Sequence, residues 1–186
     1  KKLAKQNIDK IKDLIDSENV LVGIEPSSLL SFRDEYPSLV EEDIEQLNSN
    51  IYLFDEFFAK EIEQNNISAE QFTEKEEKIL LHGHCQQKAL IGTEYMEKML
   101  SLPKNYSVEV IPSGCCGMAG SYGYEKRHYE KSKQIADLHL TKAINKADKS
   151  TIISAPGTSC REQINHFTQR KALHPIEIMY TALKTK

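Results

Sequence analysis

Lys78-Ile79-Leu80-Leu81-His82-Gly83-His84-Cys85 combines an apolar run, a glycine turn and a cysteine at which a helical pattern begins. The apolar run predicts a buried β-strand over residues 78–82, and the residues after it predict a helix over 85–101. A strand that leads directly into a helix is the repeating unit of an α/β protein. In an open parallel sheet, the loops at the carboxyl ends of the strands converge on one crevice, and Cys85 is expected to lie there.

The alternation of strand and helix continues through the rest of the chain. Short apolar or alternating runs predict strands, and apolar residues at helical spacing predict the helices between them. The sequence therefore predicts an α/β fold, with a mostly parallel sheet flanked by helices. The predicted strands are 20–24, 78–82, 106–111 and 151–154, and the predicted helices are 3–17, 41–65 (as one helix or two), 85–101, 125–146, one that begins after Gly157, and 175–184.

The chain is expected to contain two related units, 1–70 and 77–186, which can pack as one domain. Residues 66–76 are polar and acidic, which is typical of a surface connection. Residues 20–28 and 152–160 share the same order: a strand, a proline, small residues and the start of a helix. The first unit has less chain before this pattern, and the sequence begins in a helical pattern without Met. We therefore expect a first unit truncated at its start and a fragment of a longer protein.

All four cysteines follow predicted strands: Cys85, the adjacent pair Cys115-Cys116, and Cys160. The convergence of strand ends would bring their sulfur atoms together, although 75 positions separate the first cysteine from the last. Cys85 and Cys160 also begin predicted helices, where the partial positive charge of the helix N-terminus favours the thiolate. Four converging thiolates suggest a soft metal ion or an iron–sulfur cluster.

Glycines and basic side chains surround the cysteines. Gly114 and Gly117 flank the pair and permit close backbone approach, so that N–H groups there can donate to sulfur, and Gly157 precedes the helix of Cys160. Arg161 follows Cys160 and either offsets thiolate charge or is solvated. His82 and His84 are candidate ligands or proton donors, but a supporting role is favoured because four thiols already complete a tetrahedral set.

Composition excludes several classes of protein. The net charge of −4 and the mixing of acidic and basic residues argue against nucleic acid as the main partner. No apolar run approaches the roughly 18–20 residues of a transmembrane helix, and no signal peptide opens the chain. Four cysteines are too few for a disulfide-stapled secreted domain of this length, which favours a metal or catalytic role in the cytoplasm.

Other roles for the cysteines remain open at this point. They can hold zinc, or carry out thiol–disulfide exchange at Cys115-Cys116 with Cys85 or Cys160 as the resolving thiol. A degenerate interaction module without redox chemistry is a further alternative, because a single buried cysteine is usually just a small hydrophobic residue.

Three cysteine-containing segments resemble the cysteine-rich CCG domain that occurs in heterodisulfide reductase, the glycolate oxidase iron–sulfur subunit and lactate-utilisation proteins. The likeness is greatest to the C-terminal end of fused FAD-linked oxidases, and the segments around residues 23–27 and 32–37 extend it over nearly the whole chain. The three segments are His82-Gly83-His84-Cys85-Gln86-Gln87-Lys88, Ser113–Glu125 and Ala155-Pro156-Gly157-Thr158-Ser159-Cys160-Arg161.

The resemblance implies electron transfer. An upstream FAD domain would oxidise a 2-hydroxy acid such as lactate, glycolate or 2-hydroxyglutarate, and electrons would pass through a ferredoxin-like segment and this domain to a quinone or another carrier. Cys85, Cys115, Cys116 and Cys160 would then be the cluster ligands. Such a protein is expected in the cytoplasm, either free or peripheral at the inner face of the membrane. The isolated fragment, which has no FAD site, is expected to be inactive.

Two positions depart from the fuller motif of this family. Gly157 stands where that motif has a cysteine three residues before Cys160, and Ser28 stands where some relatives have another. Four thiols fit a cubane [4Fe–4S] cluster or a zinc ion better than they fit a cluster that needs five. A second cluster in the first unit is therefore not expected.

Overall fold

Two parallel sheets hold the β-strands of the computed structural model, which describes residues 1–184. The larger sheet has four strands in the order β4-β3-β5-β6, and the smaller sheet pairs β1 with β2. The predicted α/β fold with parallel strands flanked by helices is confirmed. The strands are β1 (Leu21–Gly23), β2 (Ile51–Leu53), β3 (Glu77–Leu81), β4 (Tyr106–Val110), β5 (Ile152–Ser154) and β6 (Ala172–Leu173).

The helices connect these strands and cover both faces of the larger sheet. No helix in residues 1–184 is both long enough and apolar enough to cross a membrane. The α-helices are α1 (Lys2–Ile11), α2 (Pro26–Leu29), α3 (Tyr36–Leu39), α4 (Glu45–Asn48), α5 (Phe54–Glu63), α6 (Cys85–Leu90), α7 (Glu94–Leu100), α8 (Tyr129–Leu138), α9 (Leu140–Lys146), α10 (Thr158–Thr168) and α11 (Pro175–Ala182).

Strand β3 separates two hydrophobic cores because its side chains alternate between the two faces of the sheet. Ile79 and Leu81 pack with residues of α7 and α11, such as Met99 and Ile178. Leu80 points the other way, into the core formed by α9, α10 and the buried cysteines. The alternation therefore directs the next residue, His82, to the cysteine face.

The structure corrects one prediction of element type. The sequence predicts helix throughout residues 41–65, yet Ile51–Leu53 forms β2, paired in parallel with Leu21–Gly23. Ile51 and Leu53 are fully buried in this pairing. These apolar residues also fit the apolar stripe of a helix, so periodicity alone assigns them to the helix that follows. Strand β6 was not predicted, because a strand of two residues is too short to show an alternating pattern.

Other predicted helices are shorter or interrupted. The helix expected over 85–101 breaks at Gly92, whose φ of 81° lies in the left-handed region that favours glycine. The helix expected over 125–146 begins at Tyr129 and is interrupted at His139. The first helix ends at Ile11 rather than at residue 17, and the last ends at Ala182; residues 185–186 of the predicted second unit lie outside the described residues.

Three hydrogen-bonded links hold the smaller sheet against the larger one. The Glu25 carboxylate accepts from the backbone N–H and the hydroxyl of Thr158, each at 2.9 Å. His174 Nε2 bonds to the carbonyl of Ile24 at 2.9 Å, while its Nδ1 accepts from the N–H of Ile176 at 3.1 Å. His174 thus caps α11.

The third link is a buried pair in which Gln87 of α6 donates to the Asp55 carboxylate of α5 at 2.8 Å. Burial raises the pKa of Asp55 from 3.8 to about 7. Because folding favours the protonated acid, this group contributes stability below pH 3.8, and the contribution is lost as pH rises through about 7.

Asp55→Asn is expected to raise the free energy of unfolding at pH 8, since the amide can accept from Gln87 without a buried charge. The gain should amount to a few kcal/mol, on the order of 1.4 kcal/mol for each unit of pKa shift, and should shrink towards zero as pH approaches 4. Urea denaturation of both proteins across this range measures it. A pH-independent difference would show that Asp55 is not titrating.

Candidate metal centre

The loops that follow β3, β4 and β5 carry the four cysteines to the same end of the larger sheet. Leu81 of β3 pairs with Val110 of β4 and also with Ser154 of β5, so the three strands end at the same level. Cys85 begins α6, and Cys160 lies in the first turn of α10. The convergence expected from parallel strands is therefore present in the structure.

The four sulfur atoms form a continuous series from the surface to the core. Cys85 is exposed, Cys115 is partly buried, and Cys116 and Cys160 are buried and part of a hydrophobic core. All four are free thiols. The site thus has a rim at Cys85 and Cys115 and a floor at Cys116 and Cys160.

Contacts between neighbouring thiols shift their pKa values in alternating directions. Hydrogen bonding from Cys116 and Cys85 lowers the pKa of Cys115, and hydrogen bonding from Cys116 lowers that of Cys160. The same contacts raise the pKa of Cys85 and of Cys116, since these two thiols keep their protons in order to donate them. Cys115 and Cys160 are therefore the two thiols that lose their protons most readily, and a bound cation would displace the remaining protons.

His82 completes the floor of the site. One of its ring nitrogens and the sulfur atoms of Cys116 and Cys160 all lie within 4.8 Å of one another. Its Nδ1 is 2.7 Å from the hydroxyl of Ser113, and its Nε2 is buried without a hydrogen-bond partner among the described residues. A buried nitrogen without a partner beside two sulfur atoms fits a bound metal.

Two of the three predicted glycines lie against the sulfur atoms. The N–H of Gly117 donates to the Cys115 sulfur at 3.3 Å, and its φ of 97° disfavours any other residue. A Cβ at Gly157 would lie 2.6 Å from Cδ2 of His84 and 3.2 Å from the sulfur of Cys160. Gly114, by contrast, has open space around its Cα.

Arg161 and His84 support the loops. The Arg161 guanidinium donates to the carbonyls of Ala155 and Pro156, at 3.1 and 2.5 Å, and so fixes the loop before Cys160. His84 is the N-cap residue of α6, and its Nδ1 is buried without a partner in the part of the chain that the structure describes.

Lys88 and Gln163 are site residues that sequence reasoning did not identify. Lys88 lies one turn after Cys85 in α6, and its ammonium group donates to the carbonyls of Ser113 and Gly114. Burial lowers the pKa of Lys88, while the four cysteines oppose that shift. Gln163 donates to the Cys116 carbonyl at 3.0 Å. Each of these polar residues lies three positions after a cysteine in the first turn of a helix, and this spacing is the sequence signal that could have identified them.

Glu25 also contributes to the site, through the helix of Cys160. Although burial acts to raise it, hydrogen bonds from Thr158 and Ser27 hold the pKa of Glu25 below its usual value. Its carboxylate thus satisfies the first turn of α10 and fixes the helix that presents Cys160.

Similarity to characterised proteins extends over nearly the whole chain. It is 28% identical over 184 residues to the D-2-hydroxyglutarate dehydrogenase of Escherichia coli K12, a match that covers 98% of this chain and 17% of that protein. It is 30% identical over 182 residues to the enzyme of the same name from Pseudomonas putida KT2440, again covering 17% of the relative.

A differently named relative matches equally far along the chain. One subunit of the anaerobic glycerol-3-phosphate dehydrogenase of Escherichia coli K12 is 26% identical over 185 residues, which is 98% of this chain and 46% of the relative. In these relatives the matched part is C-terminal. The chain therefore spans about a sixth of the first two relatives and less than half of the third. No family model matches the sequence. No solved structure matches it.

Gly117→Ala is expected to destabilise the protein and reduce its metal content. The added Cβ would lie 2.3 Å from the backbone oxygen of Ser132, at a φ that costs a non-glycine residue about 1–3 kcal/mol. Urea denaturation and metal analysis measure the two effects. Gly114→Ala is the matched control, since its Cβ would meet nothing within 4 Å. Equal losses in both variants would contradict a specific role for Gly117.

Proposed function

We propose that this chain is an electron-transfer domain that holds one iron–sulfur cluster on Cys85, Cys115, Cys116 and Cys160. The observation that carries the proposal is the convergence of four free cysteines, with the partnerless His82 nitrogen, at the carboxyl ends of three parallel strands. Thiolates are the usual protein ligands of iron–sulfur clusters, and four of them fit a [4Fe–4S] cluster. When bound, the cluster would accept and release single electrons.

The residues around the sulfur atoms support this use. The Gly117 amide donates to a cysteine sulfur, and such hydrogen bonds tune the reduction potential of a cluster. Lys88 places a half-buried positive charge beside all four cysteines, where it offsets thiolate charge. The buried floor excludes water from one side, and the rim at Cys85 leaves the other side open to an electron partner.

The relatives support a role within a larger dehydrogenase. Two of them are named for the oxidation of D-2-hydroxyglutarate and one for that of glycerol 3-phosphate. We propose that the chain is the C-terminal part of an FAD-linked 2-hydroxy acid dehydrogenase. FAD would be bound upstream, ferredoxin-like segments would deliver electrons, and a quinone or another carrier would accept them. The protein would work in the cytoplasm or at the inner face of the membrane.

Zinc is the second candidate, favoured by one specific observation. The group formed by His82, Cys116 and Cys160 offers one nitrogen and two sulfur atoms, which are three of the four donors that a tetrahedral zinc site uses. Iron, zinc and acid-labile sulfide in anaerobically purified full-length protein separate the two proposals. Iron with sulfide supports the cluster, stoichiometric zinc without sulfide supports the zinc site, and metal-free protein whose thiols respond to reductant supports disulfide exchange.

Cys115→Ser and Cys160→Ser are each expected to abolish iron and sulfide binding, because a hydroxyl is a poor substitute for a thiolate. Ser28 is an exposed residue of the first unit, so Ser28→Ala is the control and should retain its full content of iron and sulfide. Metal and sulfide analysis under anaerobic conditions measures all three. Equal content in the three variants would overturn the ligand assignment.

Lys88→Gln is expected to lower the reduction potential of the cluster, since removal of a neighbouring positive charge disfavours the added electron. Lys88→Arg retains the charge and should stay closer to the original potential. A redox titration followed by EPR measures the difference. Unchanged potentials at equal iron content would show that the Lys88 charge is not felt at the cluster.

A further inference from the structure

His82 is fully buried at the end of β3, yet only one of its two ring nitrogens has a partner. Nδ1 bonds to the Ser113 hydroxyl at 2.7 Å, and Nε2 has no hydrogen-bond partner within residues 1–184. A buried polar atom left unpaired costs about 1–3 kcal/mol, so native structures usually provide it with a partner. A cation bound at Nε2 would give this nitrogen its partner.

The surroundings of the imidazole identify the kind of group. The sulfur atoms of Cys116 and Cys160 lie within 4.8 Å of a His82 nitrogen, a separation that allows all three to bind one metal. Both sulfur atoms are buried, which leaves little room for bulk water. A metal-binding histidine commonly uses its second nitrogen in a hydrogen bond that fixes the ring, and the bond from Nδ1 to Ser113 has this form.

The Ser113 bond is itself supported by the loops of the site. Lys88 donates to the backbone carbonyl of Ser113 and thereby holds this residue against α6. The ring of His82 is thus oriented by residues from two of the cysteine loops. His84, in comparison, fills the space in front of Gly157 and carries no such bond on its Nδ1 to any residue in 1–184.

We infer that His82 is a direct ligand of the metal centre through Nε2, and so a fifth protein donor beside the four cysteine sulfurs. This inference rests on the proposed function for the identity of the metal but not for the geometry of the site. A neutral imidazole adds no negative charge to the centre, in contrast to a thiolate, and histidine ligation raises the potential of iron–sulfur clusters.

The inference is tested by pulsed EPR on full-length protein labelled with ¹⁵N-histidine. The reduced cluster is measured in the anaerobic protein, and Co²⁺ alone is measured in metal-free protein. Wild type is expected to show a strongly coupled ¹⁵N nucleus. His82→Gln should lose this coupling while it retains iron or cobalt, and His84→Gln should keep it. Ser113→Ala should keep the coupled nitrogen with an altered coupling constant, because the ring loses its orienting bond.

Each outcome separates the inference from the proposed function. A cluster without a coupled nitrogen, or a coupling that persists in His82→Gln, overturns the inference and leaves the electron-transfer proposal intact. A Co²⁺ site with a His82-dependent coupling but no capacity for iron and sulfide supports the inference and overturns the cluster. Protein that binds neither metal overturns both. If His82→Gln fails to fold, a coupling that persists in His84→Gln and changes in Ser113→Ala still assigns the nitrogen to His82, whose ring Ser113 contacts. A coupling unchanged in Ser113→Ala overturns the inference in that case.

Discussion

The in-register pairing of β3 with β4 on one side and β5 on the other is the constraint on which the site depends. Because Leu81 pairs with both Val110 and Ser154, three loops leave the sheet at the same level. Cysteines from three separate segments of the chain then meet without any covalent link. A slip of one residue in β3 would turn His82 to the opposite face, so the buried alternation of Leu80 and Leu81 fixes the chemistry as well as the fold.

The smaller sheet helps to hold this geometry from outside. Glu25 caps the helix that carries Cys160, and Asp55 holds Gln87, two residues after Cys85. Both contacts join residues of the first unit to residues beside the cysteines. The first unit has no cysteine of its own, and its structural contribution to the site is to fix two of the helices that present sulfur atoms.

Most of the large sheet could be predicted from sequence because its strands are short apolar runs bounded by glycine, proline or charge. Strand β2 could not, since Ile51 and Leu53 also fit the helical stripe that continues into α5, and only their pairing with β1 decides between the two.

The convergence of the cysteine loops could be predicted from the general rule that loops at the carboxyl ends of parallel strands meet at one edge of the sheet. His82 could be named from sequence as a candidate ligand, but its position beside Cys116 and Cys160 could not be predicted, because its ring direction depends on alternation along β3 and on Ser113, a residue from another loop. Lys88 and Glu25 were missed because their partners are groups from distant segments.

The four cysteines differ in burial, and this difference sets the order in which oxygen and peroxide oxidise them. Cys115 combines partial exposure with a lowered pKa, and thiolates that solvent can reach are oxidised first. A sulfenic acid at Cys115 can condense with a neighbouring thiol, with loss of water, to give a disulfide that cellular reductants reverse. Oxidation would then begin reversibly at the rim of the site, while the buried sulfur atoms of Cys116 and Cys160 stay reduced.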